Sequence, residues 1–162
     1  TLLRDMGQAM SPFNAWMFIQ GLETLPLRMR EHCRNAETVA RHLAAHPVVS
    51  RVIFPGLEKD AAIRAQGEKT MPGGWGGLVG FELTGGGASG AKFIDALKLF
   101  YHVANIGDVR SLAIHPWSTT HQQLSDEEKI AAGVTEGYVR LSVGIEHIDD
   151  IIADLDQALA AL

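Results

Sequence analysis

Apolar and polar residues alternate along YVRLSVGIE (138–146). Val139, Leu141, Val143 and Ile145 fall on one side, and Tyr138, Arg140, Ser142 and Gly144 on the other. That is the period of a strand with one buried face. LVGFELT (78–84) repeats it, with Val79, Phe81 and Leu83 aligned. Elsewhere the period lengthens to that of a helix. Ser11-Pro12 has the form of an N-cap followed by proline at the first helical position, which predicts a helix over 12–21. Gly21 and Pro26 interrupt the pattern. A long helix is then predicted from about 24 to 45, with Cys33, Ala36, Ala40 and Leu43 on one face and Pro47 closing it. VVSRVIFPG (48–56) is a predicted strand and turn, 59–70 a weak helix, and MPGGWGG (71–77) a glycine-rich loop. GGGAS (85–89) leads into a helix carrying Phe93, Ile94, Leu97 and Phe100. Residues 103–107 and 111–116 are two short extended segments. Ser125 and Glu128 form a capping box for a helix over 126–132. The last helix, 147–162, places Ile148, Ile151, Ile152, Leu155, Ala158, Leu159 and Leu162 along one stripe.

Strands that alternate cleanly imply a sheet covered by helices on one face only. The predicted fold class is therefore α+β, with a small, mainly antiparallel or mixed sheet. The uncovered face carries Arg140, Ser142, Glu82 and Thr84 and is rich in glycine, so a partner domain is expected to sit against it.

Composition narrows the function. The chain has 162 residues, 46% of them hydrophobic, and a net charge of −5 without a basic cluster, which argues against a cationic nucleic-acid face. No apolar run approaches the roughly 20 residues of a membrane span, and TLLRDMGQAM lacks the form of a signal peptide. Cys33 is the single cysteine, so neither a disulfide framework nor a cysteine-ligated metal is expected. A cytoplasmic protein is the default expectation. Beginning on Thr1 rather than methionine, the chain is expected to be processed or, preferably, cut from something longer.

Three constellations carry candidate chemistry. Arg140 on its strand can clamp a carboxylate with two parallel donors, or form an ion pair with Glu82, Glu136 or Glu146; spacing alone leaves both open. ANIGDVRSLAIHPWSTTH (104–121) gathers Asn105, Asp108, Ser118, Thr119, Thr120 and His121 at loop positions. These suit a binding loop, a solvated connection or self-satisfied turns. His115 and His121 have no acidic or cysteine ligand placed beside them, so no metal is expected. SGAKF (89–93) contains the Ser-x-x-Lys spacing of some serine hydrolases. Here Ser89 reads better as a cap and Lys92 as solvent-facing. GGWGG (73–77) lacks the Lys-Ser/Thr of a phosphate loop.

Longer segments carry a resemblance. RDMGQAMSPFNAWMFIQGLETLPLRM (4–29), NAETVARHL (35–43), FPGL (54–57), FIDALKLFYHVANIGDVRSLAIHPWSTTHQQLS (93–125) and YVRLSVGIEHIDDIIADLDQAL (138–159) resemble, in order, the C-terminal part of the Cys/Met-metabolism family of pyridoxal phosphate (PLP) enzymes, most closely its O-acetylhomoserine sulfhydrylase branch. The resemblance implies the C-terminal domain of a fold-type I enzyme. Residues 1–162 would form that substrate-binding domain, 1–45 its long linking helical segment, and the PLP-binding domain would lie upstream. It implies that Arg140 binds the substrate α-carboxylate. Asn105, often serine in the lyase branch, would approach that carboxylate, and Thr120 would belong to the same site. No catalytic, cofactor-binding or metal residue is expected in these 162 positions. The family's cofactor lysine has a Ser-x-Thr-Lys-like setting, which Lys59, Lys69, Lys92, Lys98 and Lys129 do not share. The parent is expected to be a transferase of methionine biosynthesis, converting O-acetylhomoserine and sulfide to homocysteine and acetate, and to be a homotetramer. The chain alone is expected to be inactive. Alternatives are an O-succinylhomoserine sulfhydrylase, a cystathionine γ-synthase or lyase relative, and a stand-alone amino-acid-binding module. Trp117 departs from the small residue that relatives more commonly carry after His-Pro.

Overall fold

A computed structural model describes residues 2–162, with side chains from Arg4 onward; Thr1 lies outside the described residues. Helices α1 (Leu2–Met6), α2 (Pro12–Glu23) and α3 (Leu25–Ala44) precede strand β1 (Val49–Ile53), a 3-10 turn at Pro55–Leu57 and α4 (Ala61–Thr70). There follow β2 (Leu78–Leu83), α5 (Gly86–Ala96), β3 (Tyr101–His102), β4 (Leu112–Ile114) and a second 3-10 turn at Pro116–Ser118. Helix α6 (Asp126–Ala131), β5 (Tyr138–Ser142) and α7 (Ile148–Leu159) complete the chain.

The five strands form one mixed sheet in the order β1-β2-β5-β4-β3, antiparallel except for the β3–β4 pair. Strand β5 is central because its inward side is wholly apolar: Val139 and Leu141 are buried, as are Val79, Phe81 and Leu83 of β2 beside it. Helices α3, α5 and α7 pack on that side. Phe81 meets Phe93 of α5 edge to face, with ring centroids 5.4 Å apart, and burying such a ring contributes about 1.5–3 kcal/mol. The predicted α+β architecture with helices on one face is what forms.

Caps fix where several helices begin. Ser11 accepts from the Asn14 N–H with Pro12 at the first position, and both halves of the Ser125–Glu128 capping box are present.

Other expectations need correction. Ser89 is no cap: α5 starts three residues earlier, with Gly85 at its N-cap, because Gly86 adopts a φ of +67° that opens the turn sooner. That helix also stops at Ala96, so Leu97 and Phe100 lie beyond it. The buried Asp154 carboxylate accepts the backbone N–H groups of Lys98 (2.9 Å), Leu99 (2.8 Å) and Phe100 (3.2 Å), which draws the chain out of the helix. The extended pair is Tyr101–His102, and 103–107 is loop. Cys33 is only half-buried, against Gly74. The buried stripe of α3 runs through His32, Asn35, Ala36, Val39, Ala40 and Leu43. Helix α7 ends at Leu159, leaving Leu162 exposed. No helix among the described residues is long and apolar enough to cross a membrane.

Candidate functional site

The uncovered face of the sheet presents Arg140 at its centre, between Gly80 of β2 and Ile114 of β4. A guanidinium on the middle strand of a sheet is held by a rigid backbone, which suits a clamp. Its Nη2 donates to two main-chain carbonyls, of Ala104 at 2.7 Å and Asn105 at 3.3 Å. Its Nε is buried and has no partner. Among the described residues Arg140 makes no ion pair. The three carboxylates that compete for it are elsewhere: Glu146 binds Ser111, Glu82 lies nearest Arg51 at 4.0 Å, and Glu136 lies beside Gly86 and Gly87. The guanidinium therefore keeps donors in reserve. It opens into a shallow depression lined by Ala104, Asn105, Ile106, Gly107, Asp108 and Arg140.

The loop that walls this depression is tied down from the end of β5. Ser142 Oγ accepts from the Gly107 N–H at 3.2 Å, and Ile145 N–H donates to the Val109 carbonyl at 2.9 Å. Glu146 accepts from both the N–H (2.7 Å) and the hydroxyl (2.9 Å) of Ser111, whose Oγ accepts from the Gly144 N–H at 2.8 Å. A side chain at Gly144 would collide with Ser111 N and Val109 O, each 2.5 Å from where its Cβ would stand. Helix α3 holds the same turn from the core side. His32 Nδ1 contacts the Val143 carbonyl at 2.7 Å, and Asn35 Nδ2 donates to the carbonyls of Gly144 and Glu146. A charge-assisted, largely buried network of this kind fixes a loop that would otherwise move.

The structure thus brings Arg140 and Asn105 together. Thr120 is not with them: it lies beyond the Pro116–Ser118 turn, its hydroxyl 3.0 Å from His121 Nδ1, and is not among the residues lining the depression. The anchoring residues Ser111, Ser142, Gly144 and Glu146, and His32 and Asn35 behind them, were not singled out from sequence as a network. The signal available was two polar residues three apart, His32 and Asn35, on the otherwise apolar face of a long helix.

Nearby candidates have structural partners. His115 is buried, its Nδ1 2.9 Å from Ser118 Oγ and its Nε2 2.8 Å from the Glu136 carbonyl. Gly90 leaves room for its ring, since a Cβ there would stand 2.4 Å from Nε2. Trp117 lies under the Lys129 ammonium, 4.3 Å from the ring centroid, and Asp126 binds the same ammonium at 3.1 Å. The indole fastens α6 to the turn, a cation–π contact strengthened by the burial of Lys129.

The model of one family, Cys/Met metabolism PLP-dependent enzyme, matches residues 1–160. This chain belongs to that family. It is 56% identical over 157 residues to the O-acetyl-L-homoserine sulfhydrylase of Leptospira meyeri, covering 97% of this chain and 36% of that protein. It is 44% identical over 161 residues to the L-methionine gamma-lyase of Pseudomonas putida, covering 98% and 40%. Among solved structures, a Campylobacter jejuni protein described as an O-acetylhomoserine (thiol)-lyase, with N'-pyridoxyl-lysine-5'-monophosphate in its chain, matches at a TM-score of 0.81 and 42% identity, over 99% of this chain and 38% of that one. The α+β, fold-type I assignment therefore holds, and the chain spans about two-fifths or less of the length of these relatives.

Members of a PLP-dependent family need a lysine for the Schiff base and groups for the cofactor phosphate. The residues here do not compose such a cradle. Lys59, Lys69, Lys92 and Lys98 are exposed, and Lys129 is held between Trp117 and Asp126. The glycine-rich loop packs against α3, with Gly74 on Cys33 and Gly77 on His32.

Proposed function

We infer that this chain is the substrate-carboxylate half of an O-acetylhomoserine sulfhydrylase, an enzyme that replaces the acetate of O-acetylhomoserine with sulfide to give homocysteine. The observation that carries this reading is the state of Arg140: strand-mounted, held by two carbonyls, matched to no carboxylate, and open to a depression walled by an anchored loop. The α-carboxylate binds the remaining guanidinium donors, and Asn105 lines the same depression. Thr120 joins the site only if substrate draws its loop inward. The cofactor belongs to the rest of the protein, against which the apolar α2 and the linking segment 1–45 would pack. A family-like tetramer is part of the same proposal.

In the full-length protein, Arg140→Ala is expected to lower kcat/KM for O-acetylhomoserine by about 100-fold or more, as when one partner of a desolvated charge pair is removed. Arg140→Lys recovers part of it, because a point charge replaces two parallel donors. An unchanged kcat/KM refutes the assignment. Treating the isolated chain with PLP and then borohydride is expected to label no lysine stoichiometrically by intact mass; full labelling of one lysine overturns the expected inactivity. The 44% identity to a gamma-lyase favours one second reading, elimination without sulfide. Incorporation of labelled sulfide into homocysteine separates the two.

A further inference from the structure

Arg140 serves a substrate only if no carboxylate of the protein already occupies it, and the sheet register puts one within reach. Across the β2–β5 pair Glu82 faces Tyr138 and Gly80 faces Arg140. Glu82 and Arg140 are therefore diagonal neighbours on the open face. Such positions lie about 7–8 Å apart, a gap that long side chains span. Yet Arg140 makes no ion pair among the described residues, and Glu82 lies 4.0 Å from Arg51 on the other side.

The side chain of Tyr138 accounts for this. A Cβ built on Gly80 would stand 2.7 Å from Tyr138 Oη and 2.8 Å from its Cε2, so the ring reaches diagonally across and rests on Gly80. The four positions 80, 82, 138 and 140 are the corners of a rectangle. The ring runs along one diagonal, and a Glu82–Arg140 contact would run along the other. The two cross, and the ring fills the crossing. Burial is the main cause that raises the phenol above its usual 10; Arg140 lowers it and Glu82 raises it, so both charges act on the ring.

We propose that Tyr138, laid over Gly80, is a positioning residue that keeps the Arg140 guanidinium apart from Glu82 and so leaves it open to an incoming carboxylate. This rests on the reading of Arg140 as the carboxylate site. Gly80 is required because any side chain there would displace the ring, and the hydroxyl of Tyr138 is dispensable.

The test uses the full-length protein. Tyr138→Ala is expected to raise KM for O-acetylhomoserine about tenfold with a smaller change in kcat, because Glu82 then competes with substrate for the guanidinium. Tyr138→Phe and Glu82→Gln are each expected to stay within about twofold of the parent. The double variant Tyr138→Ala/Glu82→Gln is expected to return KM to near the parent value. Gly80→Ala, which pushes the ring aside without deleting it, is expected to raise KM and to be rescued by Glu82→Gln in the same way. A double variant as impaired as Tyr138→Ala, or a Tyr138→Ala with unchanged KM, overturns the proposal. A crystal structure of Tyr138→Ala supplies a readout independent of activity: Glu82 moves into contact with Arg140, or the proposal fails. Failure of the carboxylate reading is distinct, since it appears as an Arg140→Ala protein with unaltered KM.

Discussion

Helices α2 and α7 have the same length, 12 residues, and opposite fates. Helix α7 carries five acidic or amide side chains and fewer large apolar ones, yet it buries Ile151, Asp154, Leu155, Ala158 and Leu159. Helix α2, PFNAWMFIQGLE, is the more apolar of the two and buries nothing: Phe13, Trp16, Met17, Phe18, Ile19 and Leu22 are all more than half exposed. The difference is one of pattern. The apolar residues of α7 form a stripe that one layer of neighbours, α3 and α5 among them, can cover. Those of α2 surround the axis, and a single layer cannot cover them. An apolar surface of that extent marks a contact that this chain alone does not make.

Substitutions in the two helices sharpen or break that comparison. Leu155→Ala should cost the most, about 2–5 kcal/mol of unfolding free energy, because Leu155 is fully buried in the core, on a helix that packs against α3 and α5; urea denaturation measures it. Asp154→Asn should cost about 1–2 kcal/mol, since the carboxylate holds three backbone N–H groups and an amide retains one acceptor oxygen. The same experiment checks it, and a loss below the error of the fit would mean that the 98–100 turn is held by packing. Trp16→Ala should change unfolding free energy by less than about 0.5 kcal/mol. Its effect should appear in association instead: the isolated chain is expected to sediment above its 17.5 kDa monomer mass, and replacing Trp16 and Phe18 by Lys should return it to monomer. A parent chain that is already monomeric would remove the distinction between the helices.

Much of this was legible beforehand where local periodicity was strong. Strands β2 and β5, the caps at Ser11 and Ser125 and the stripe of α7 follow from spacing that few other folds satisfy. The ends of α5 were not legible. Its start depends on the positive φ of Gly86, and its end on a carboxylate from α7, more than fifty residues further along the chain. The same holds at the site. Arg140 stood out because an arginine inside an alternating strand needs a partner, and Asn105 through the resemblance. The network of Ser111, Glu146, His32 and Asn35 did not, because each member looks like an ordinary polar residue until the turn after β5 brings them together.

The sequence by itself determined the fold class, the buried faces of β2 and β5, the family and the candidacy of Arg140, since these depend on local pattern and residue type. Whether Arg140 would pair with an acid of its own chain or keep donors unused was decided by tertiary structure alone. Glu82, Glu136 and Glu146 are all acids at plausible spacing; Glu146 is taken by Ser111, Glu136 lies by Gly86 and Gly87, and for Glu82 the strand register, with Tyr138 lying across Gly80, determines which charges can meet. A salt bridge needs its charged atoms within about 4 Å of each other, and a ring lying between them prevents that approach, so pairing follows three-dimensional placement and not distance along the chain.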